Sequence, residues 1–360
     1  MMRLDDREWK PVSISNLFTF VRGRENNMAI LEDGDTPLIS ARSVNNGLKG
    51  FVNTPKKIIA GNCITLNNDG DGGAGLAYYQ PADMALDTHV TALVPKVEMS
   101  MYTMLFISEC LSKLHGFFGH GLSISNPRAQ KIRILLPVTD EGEPDYQFMD
   151  EYMSELMVAK RKQYRAYIEN RLKSLGLDIA NEGRYSEELK SRVWQSFIIK
   201  DIADVYSGHD IYAQERIEGN TPLVTAVGVN NGIGYFVGND NDSRAEGSIS
   251  VVRNGASVGK AFYHRYSALY GNDCRRMKLK NTDSEYASLF ITQVIRLQNK
   301  AFSYSRKLGT GRLENLKIML PVTDAGQPDY DFMESFGRKM MSNKYNQYLA
   351  FLAMSDTIKA

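Results

Sequence analysis

Short β-branched and aromatic runs, cut by Asn, Gly and Pro, fill the N-terminal part of the chain: Thr36 to Ser40, Lys57 to Ile59, Cys63 to Leu66, Val90 to Val94 and Ile132 to Leu136. Runs of that length with that punctuation predict strands of a mixed sheet. One helical pattern is inserted among them, from Tyr102 to Leu114. Past Pro144 the texture changes. Gly and Pro vanish as far as Leu175, and apolar side chains recur at helical spacing: Phe148, Tyr152, Leu156, Ala159, Tyr164, Ile168, Leu172 and Leu175. Pro144 and Asp145 suit the start of this helix and Gly176 its end. At 1.5 Å per residue a helix of about 30 residues is ~45 Å long, well beyond the usual length and suited to a spacer.

The same succession then returns. TPLISARSVNNGLKGFV at 36–52 reappears as TPLVTAVGVNNGIGYFV at 221–237, and LPVTDEGEPDYQFM at 136–149 as LPVTDAGQPDYDFM at 320–333. Trp9 and Trp194, the only tryptophans, stand at matching places and read as core anchors. Strand texture runs from Trp194 to Pro321. A second helix runs from Pro328 to about Met354 with Phe332, Phe336, Met340, Tyr345, Tyr348 and Leu352 along it. Markers so far apart keep one spacing, so the chain is an internal duplication. The expected fold class is α/β (α+β): a first domain over 1–143, a long helix over 144–177, a polar connector over 178–192, a second domain over 193–327 and a second long helix over 328–360. Two amphipathic helices in one chain can bury their stripes on each other, and an antiparallel pair is expected.

Composition and charge narrow the class. A chain of 360 residues is long enough for two domains with a core each. Its 43% hydrophobic and 24% charged content excludes a disordered chain or a fibre. Lys and Arg number 43 against 42 Asp and Glu, a net charge of +1. That rules out a wholesale basic coat, and any nucleic-acid surface has to be a local concentration of charge. Cys63, Cys110 and Cys274 lie too far apart for a CxxC pair, so neither a disulfide scaffold nor a Cys-based zinc site is expected, and a reducing, cytoplasmic setting fits. The N-terminus MMRLDDREWK has no apolar signal core and no stretch approaches ~18 uninterrupted apolar residues, so neither secretion nor membrane spanning is expected.

Catalytic patterns are incomplete. Phe117 to Gly121 fits the FxGxG shape of S-adenosylmethionine sites, yet it stands alone, and Asn126-Pro127 continues as Arg128 rather than as an NPPY-like tetrapeptide. Gly255-Ala-Ser-Val-Gly-Lys260 looks like a phosphate loop, but it is one residue short and has Ala261 where a magnesium-binding hydroxyl belongs. Its counterpart Gly70 to Gly75 lacks the lysine, and both read as glycine-rich turns between strands. Glu188-Leu-Lys190 with Asp178 is a nuclease-like pattern without a copy in the first repeat. Asp145 and Asp329 follow prolines and read as carboxylates at helix starts. The histidines, His89, His115, His120, His209 and His264, show no HxxxH pairing, and no GxSxG elbow occurs.

The positive signal is a charge bias that recurs. From Lys113 to Arg133 the chain carries Lys113, Arg128, Lys131 and Arg133 and no acid, interleaved with His115, Phe117, Phe118, His120, Ser123, Ser125 and Asn126. At the equivalent place, 296–312 carries Arg296, Lys300, Arg306, Lys307 and Arg312, again without an acid, interleaved with Gln298, Asn299, Phe302, Ser303, Tyr304 and Ser305. Arg275, Arg276, Lys278 and Lys280 form a further cluster in the second copy only. Arg and Lys neutralise phosphates, while Asn, Gln, Ser and Arg can read base edges. The Asn-Asn-Gly turns at Asn45, Asn46 and Asn230, Asn231 stand as candidates with two readings: DNA contacts, or turns that use the left-handed backbone Asn and Gly tolerate.

These features together resemble the specificity (S) subunits of type I and related type IIB restriction-modification systems. The resemblance covers essentially the whole chain and rests on the repeated LPVTDxGxPDYxFM junctions, the Trp opening each repeat and the GASVGK turn. It implies two tandem target-recognition domains, each binding one half of a bipartite double-stranded DNA site, with the paired helices fixing the gap. It places catalysis in methyltransferase and nuclease partner subunits that contact the long helices and bring S-adenosylmethionine and Mg, leaving this chain without a cofactor. The short, Asp-rich junction differs from the PxxEQ-type junction common in type I subunits. Two other readings stay open: a decoy module that docks on methyltransferase subunits, and a stand-alone DNA-binding regulator.

Overall fold

A computed structural model describes residues 2–25, 31–69, 73–118, 122–176, 185–303 and 306–357. Two compact units divide the chain, Met1–Tyr164 and Arg165–Ala360. Strands of the first are β1 Glu8–Ser13, β2 Phe18–Arg22, β3 Asp33–Ile39, β4 Leu48–Val52, β5 Cys63–Asn67, β6 Ala77–Gln80, β7 Ala85–Leu86, β8 Val90–Pro95 and β9 Arg133–Val138. They form an antiparallel sheet in the order β2-β8-β5-β6, a smaller sheet β4-β3-β7 and the ribbon β1-β9. The mixed character lies in β3 and β7, which run parallel.

The central strand β5 is buried along its length, because it is covered on both faces. Ile64 and Leu66 pack on Met104, Ile107 and Leu111 of helix α1 (Met101–Ser112). Cys63 packs with Met84, Leu86 and Val90 on the other face. Ser100 caps α1 by accepting the Thr103 N–H. Trp9 stacks on Phe106 at 5.8 Å between centroids and donates its indole N–H to the Leu4 carbonyl.

Lys57 to Ile59, expected as a strand, shrinks to a single bridge between Ile59 and Met84. Pro55 bounds it on one side. On the other, Gly61 lies so near Pro81 that a Cβ there would stand 2.5 Å from the Pro81 carbonyl oxygen, which leaves room for one residue pair.

The second unit repeats this plan. Its strands are β10 Trp194–Ile198, β11 Ala203–Ser207, β12 Glu218–Val224, β13 Ile233–Val237, β14 Ser248–Val252, β15 Ala261–His264, β16 Leu269–Tyr270, β17 Cys274–Leu279 and β18 Lys317–Pro321. The sheets are β11-β17-β14-β15, β13-β12-β16 and β10-β18, with β12 and β16 parallel.

The long helices begin where the sequence places their carboxylates. Helix α2, Tyr146–Leu175, runs on from the first unit into the second and ends at Gly176, whose φ of 62° is left-handed. Asp145 caps it by accepting the Phe148 N–H at 2.9 Å, and pairs with Arg7 at 2.8 Å. In the second unit, helix α3 (Glu285–Leu297) takes the place of α1 and packs Ala287, Ile291 and Ile295 on Ile249, Val251 and Met277. Helix α4, Tyr330–Thr357, is capped by Asp329 on the Phe332 N–H at 2.9 Å, and Asp329 pairs with Arg192 at 3.3 Å.

Within this unit the last turns of α2 bury Ile168 and Leu175 against Tyr286 and Tyr345. Tyr167 meets Tyr345 edge-on. One turn later Arg171 reaches Glu285 and Tyr286, and Tyr286 lies against Gly337 and Arg338, earlier in α4. Partners descend α4 as α2 ascends, the antiparallel sense expected of the pair.

Candidate nucleic-acid interface

Three loops meet at one end of each four-stranded sheet. In the first unit the Asn67 amide, at the end of β5, donates to the carbonyls of Arg42 at 3.0 Å and Gly73 at 3.2 Å, fastening the 40–44 loop to the turn after β5. Gly75, at φ +85°, lies against His115 and Phe118, and the Ile124 N–H donates to Asn68 O at 2.6 Å. The acid-free segment is therefore anchored to that turn from both sides. In the second unit the Lys260 ammonium donates to Gly228 O at 3.1 Å, Gly259 at φ +82° presses on Asn299 and Phe302, and Leu308 N–H donates to Arg253 O at 2.9 Å.

The expected contact residues fall into three groups. Lys113, Ser123, Arg128 and Lys131 are exposed on the first unit, and Ser303, Arg306, Lys307 and Arg312 on the second. Two of these arginines also brace their own loops: Arg128 donates to Ser123 O and Arg312 to Lys307 O. Asn126 is described in its backbone alone, within the short helix Asn126–Ala129. Tyr304 lies outside the described residues, as do His120, Ser305, the last three residues of the FxGxG match, Gly70 and the start of the polar connector.

The paired asparagines form a second group. Asn45, Asn46, Asn230 and Asn231 all take φ between 50° and 55°. Asn46 donates to Tyr79 O at 2.9 Å, and Asn231 to Tyr266 Oη at 3.0 Å and Tyr263 O at 3.3 Å. Their amides hold the turn onto the neighbouring strand, a structural use of both asparagines at the second position of the turn. All four asparagines remain exposed.

The β17 cluster departs from a free basic patch. Side chains alternate faces along a strand, and Arg275 shares the inward row with Met277 and Leu279. It is 5% exposed, and its guanidinium donates to Thr310 Oγ1 at 2.7 Å, Asn272 O at 2.8 Å and Cys274 O at 3.0 Å. It braces the turn at Thr310 and has no free face for a phosphate. Arg276 stacks over Tyr206 at 4.0 Å, Lys278 pairs with Asp283 at 2.7 Å and Lys280 with Asp204 at 3.6 Å.

The buried thiols and the buried imidazole sit as core groups. Burial pushes the thiols of Cys63 and Cys274 up to about 12, which removes thiolate reactivity. His264 is buried and pushed down to about 4, its Nε2 2.8 Å from Ser250 Oγ, the state of a neutral core imidazole. Among the described residues no group of three or more His, Cys, Asp or Glu is gathered to hold a metal ion. Sequence reasoning passed over Arg253, Lys260 and Gly228 as site residues. The GASVGK string was the signal for Lys260, and it does form a turn, between β14 and β15.

Residues 6–164 and 192–348 match the family described as type I restriction modification DNA specificity domain. A relative from Heyndrickxia coagulans, the type II restriction enzyme BgcI specificity subunit S.BcgI, is 28% identical over 335 residues, 91% of this chain and 93% of the relative. Among solved structures, the type I restriction-modification system S subunit from M. genitalium covers 99% of this chain and 96% of its own, at 16% identity and a TM-score of 0.46. The HsdS subunit from Thermoanaerobacter tengcongensis covers 98% and 92%, at 12% identity and a TM-score of 0.31.

Proposed function

The chain belongs to the type I restriction-modification DNA specificity family, with two copies of the domain, and from that premise we propose that each unit reads one half of a bipartite double-stranded DNA target. As a specificity subunit of a restriction-modification system, its part is recognition rather than catalysis. Methyl transfer and cleavage then belong to partner subunits that dock on α2 and α4 and bring S-adenosylmethionine and Mg with them. The relative that matches over 91% of this chain serves a type II restriction enzyme, which favours that kind of assembly. No helix among the described residues is long and apolar enough to cross a membrane.

One observation carries the reading: the same acid-free basic segment is fastened to the same end of the four-stranded sheet in both units. On a chain of net charge +1, two matching cationic edges concentrate charge where a duplex needs it. Lys131 and Arg306 are the clean probes, since Arg128 and Arg312 also hold loop carbonyls. Lys131→Ala combined with Arg306→Ala, in the complex reconstituted with its catalytic partner, is expected to weaken binding to all DNA sequences alike. The slope of log affinity against log salt should fall by roughly one unit per lost phosphate contact. Unchanged affinity and an unchanged slope would remove this surface from the DNA.

A further inference from the structure

We infer that the second unit grips one backbone phosphate of its DNA in a pocket for which the described residues of the first unit offer no cationic counterpart; the inference rests on the DNA-reading function just proposed. The pocket is a cavity of about 210 Å³ between the β14–β15 turn, which supplies Gly255, Ser257 and Lys260, and a second wall of Asn299, Lys300 and Ser303. No acid lines it.

The pocket is built by its backbone. Gly255 and Gly259 sit at φ +84° and +82°, and a Cβ on Gly259 would stand 3.0 Å from both Asn299 Cα and the Phe302 ring. Glycine alone lets the turn press against the second wall. The turn closes on itself through Lys260 N–H to Ser257 O at 3.0 Å and Gly259 N–H to Val252 O at 2.9 Å. Gly228 supplies a third support. Its carbonyl accepts one proton of the Lys260 ammonium, and a Cβ on Gly228 would fall 2.2 Å from Ser257 Oγ and 2.9 Å from Lys260 Nζ. Lys260 is thus held at a fixed place with two donors left, and Lys300, which lines the same cavity, has no acidic partner among the described residues.

Two ammonium groups beside a serine hydroxyl and an asparagine amide suit a monoanionic phosphodiester. They do not suit a magnesium nucleotide, because Ala261 is wholly buried in β15 and offers no hydroxyl to the metal.

Where its residues are described, the first unit keeps the same backbone hydrogen bonds without the charges. Leu76 donates its N–H to Gly73 O and accepts at its carbonyl from Asn67, as Lys260 does with Ser257 and Val252, so Leu76 stands where Lys260 would. His115 and Phe118 press on Gly75 as Asn299 and Phe302 press on Gly259, which puts Gly116 in the place of Lys300. An acid, Asp69, lies nearby and is paired with His89 at 2.7 Å. The two units therefore differ in how tightly they hold the backbone, although they share a plan.

The test uses the complex reconstituted with its catalytic partner and target duplexes in which one phosphate at a time is replaced by a neutral methylphosphonate. For the parent, one position in the half read by the second unit is expected to cost about tenfold in affinity. Lys300→Ala should cost about tenfold on unmodified DNA, lower the salt slope by about one unit and become indifferent to the methylphosphonate at that position. Lys260→Arg, which keeps a cation and a donor to Gly228, should retain the sensitivity. A flat methylphosphonate map in a parent that binds its target, or a map that Lys300→Ala leaves unchanged, removes the pocket and spares the wider reading. A parent complex without sequence-selective DNA binding removes both. Inorganic phosphate titrated onto the DNA-free complex separates the sources: saturation abolished by Lys300→Ala beside a flat DNA map would make this a free-anion site and overturn the proposal.

Discussion

Asp145 shows how a single side chain can be legible in sequence while its partner is not. Its place after Pro144 marks it as a helix-start carboxylate, whereas Arg7, the guanidinium it pairs with, lies far away in the chain and comes close only when β1 pairs with β9. Burial acts to raise the Asp145 pKa, and the Arg7 hydrogen bond and the Phe148 N–H outweigh it, so the net shift is downward. A carboxyl with a depressed folded pKa contributes stability above its unfolded pKa, near 4, and loses it as pH falls through the folded value. Asp145→Asn is therefore expected to cost about 1 kcal/mol at pH 7, or about 2–4 °C in melting temperature. The gap to the parent should narrow below about pH 4. Thermal melts at the two pH values check this, and a variant as stable as the parent at pH 7 would contradict it. Arg275 makes the opposite point. Four cations in six residues read as a surface patch, but a strand turns alternate side chains inward, and that run does not announce which row carries the arginine.

At the scale of elements, the buried strands were readable, and of the β1–β9 ribbon β9 was and β1 was not. β5 and β8 are apolar runs that any sheet needs at its centre, so their sequence alone marks them. β1 carries Pro11 and no buried side chain, and it is a strand because β9 lies beside it; an edge ribbon can spare the N–H that proline lacks. The helices add a contact that patterning misses. Gly337 looks like a flaw in the apolar stripe of α4, yet a Cβ there would stand 2.8 Å from Tyr286 Cβ and 3.0 Å from the Tyr286 carbonyl oxygen. Gly337 is what lets α3 and α4 approach. Alanine in a helix ordinarily gains about 1 kcal/mol over glycine, and overpacking a tight contact costs roughly 1–3 kcal/mol, so the clash should win. Gly337→Ala is expected to lower the melting temperature of the chain, and a rise would show that the contact relaxes freely. The first copy carries Met153 at the corresponding place, half-buried against its own core.

For the molecule as a whole, the duplication and the helices that follow each copy could be read from the chain, because both copies keep the spacing of their markers. Which loops meet could not, since Gly228, Lys260 and Asn299 are distant in sequence and are joined by sheet pairing. The missing counterpart of Lys260 could be read from the chain, whereas Gly116 could be set against Lys300 only once His115 and Phe118 were seen to press on Gly75 as Asn299 and Phe302 press on Gly259. Two units of one plan should each read half of a split target. A methylation-site map of the complex reconstituted with its catalytic partner tests it most directly. Two short blocks of fixed sequence, separated by a constant number of unspecified bases, are expected. A single continuous recognition sequence, or methylation without sequence preference, would contradict it.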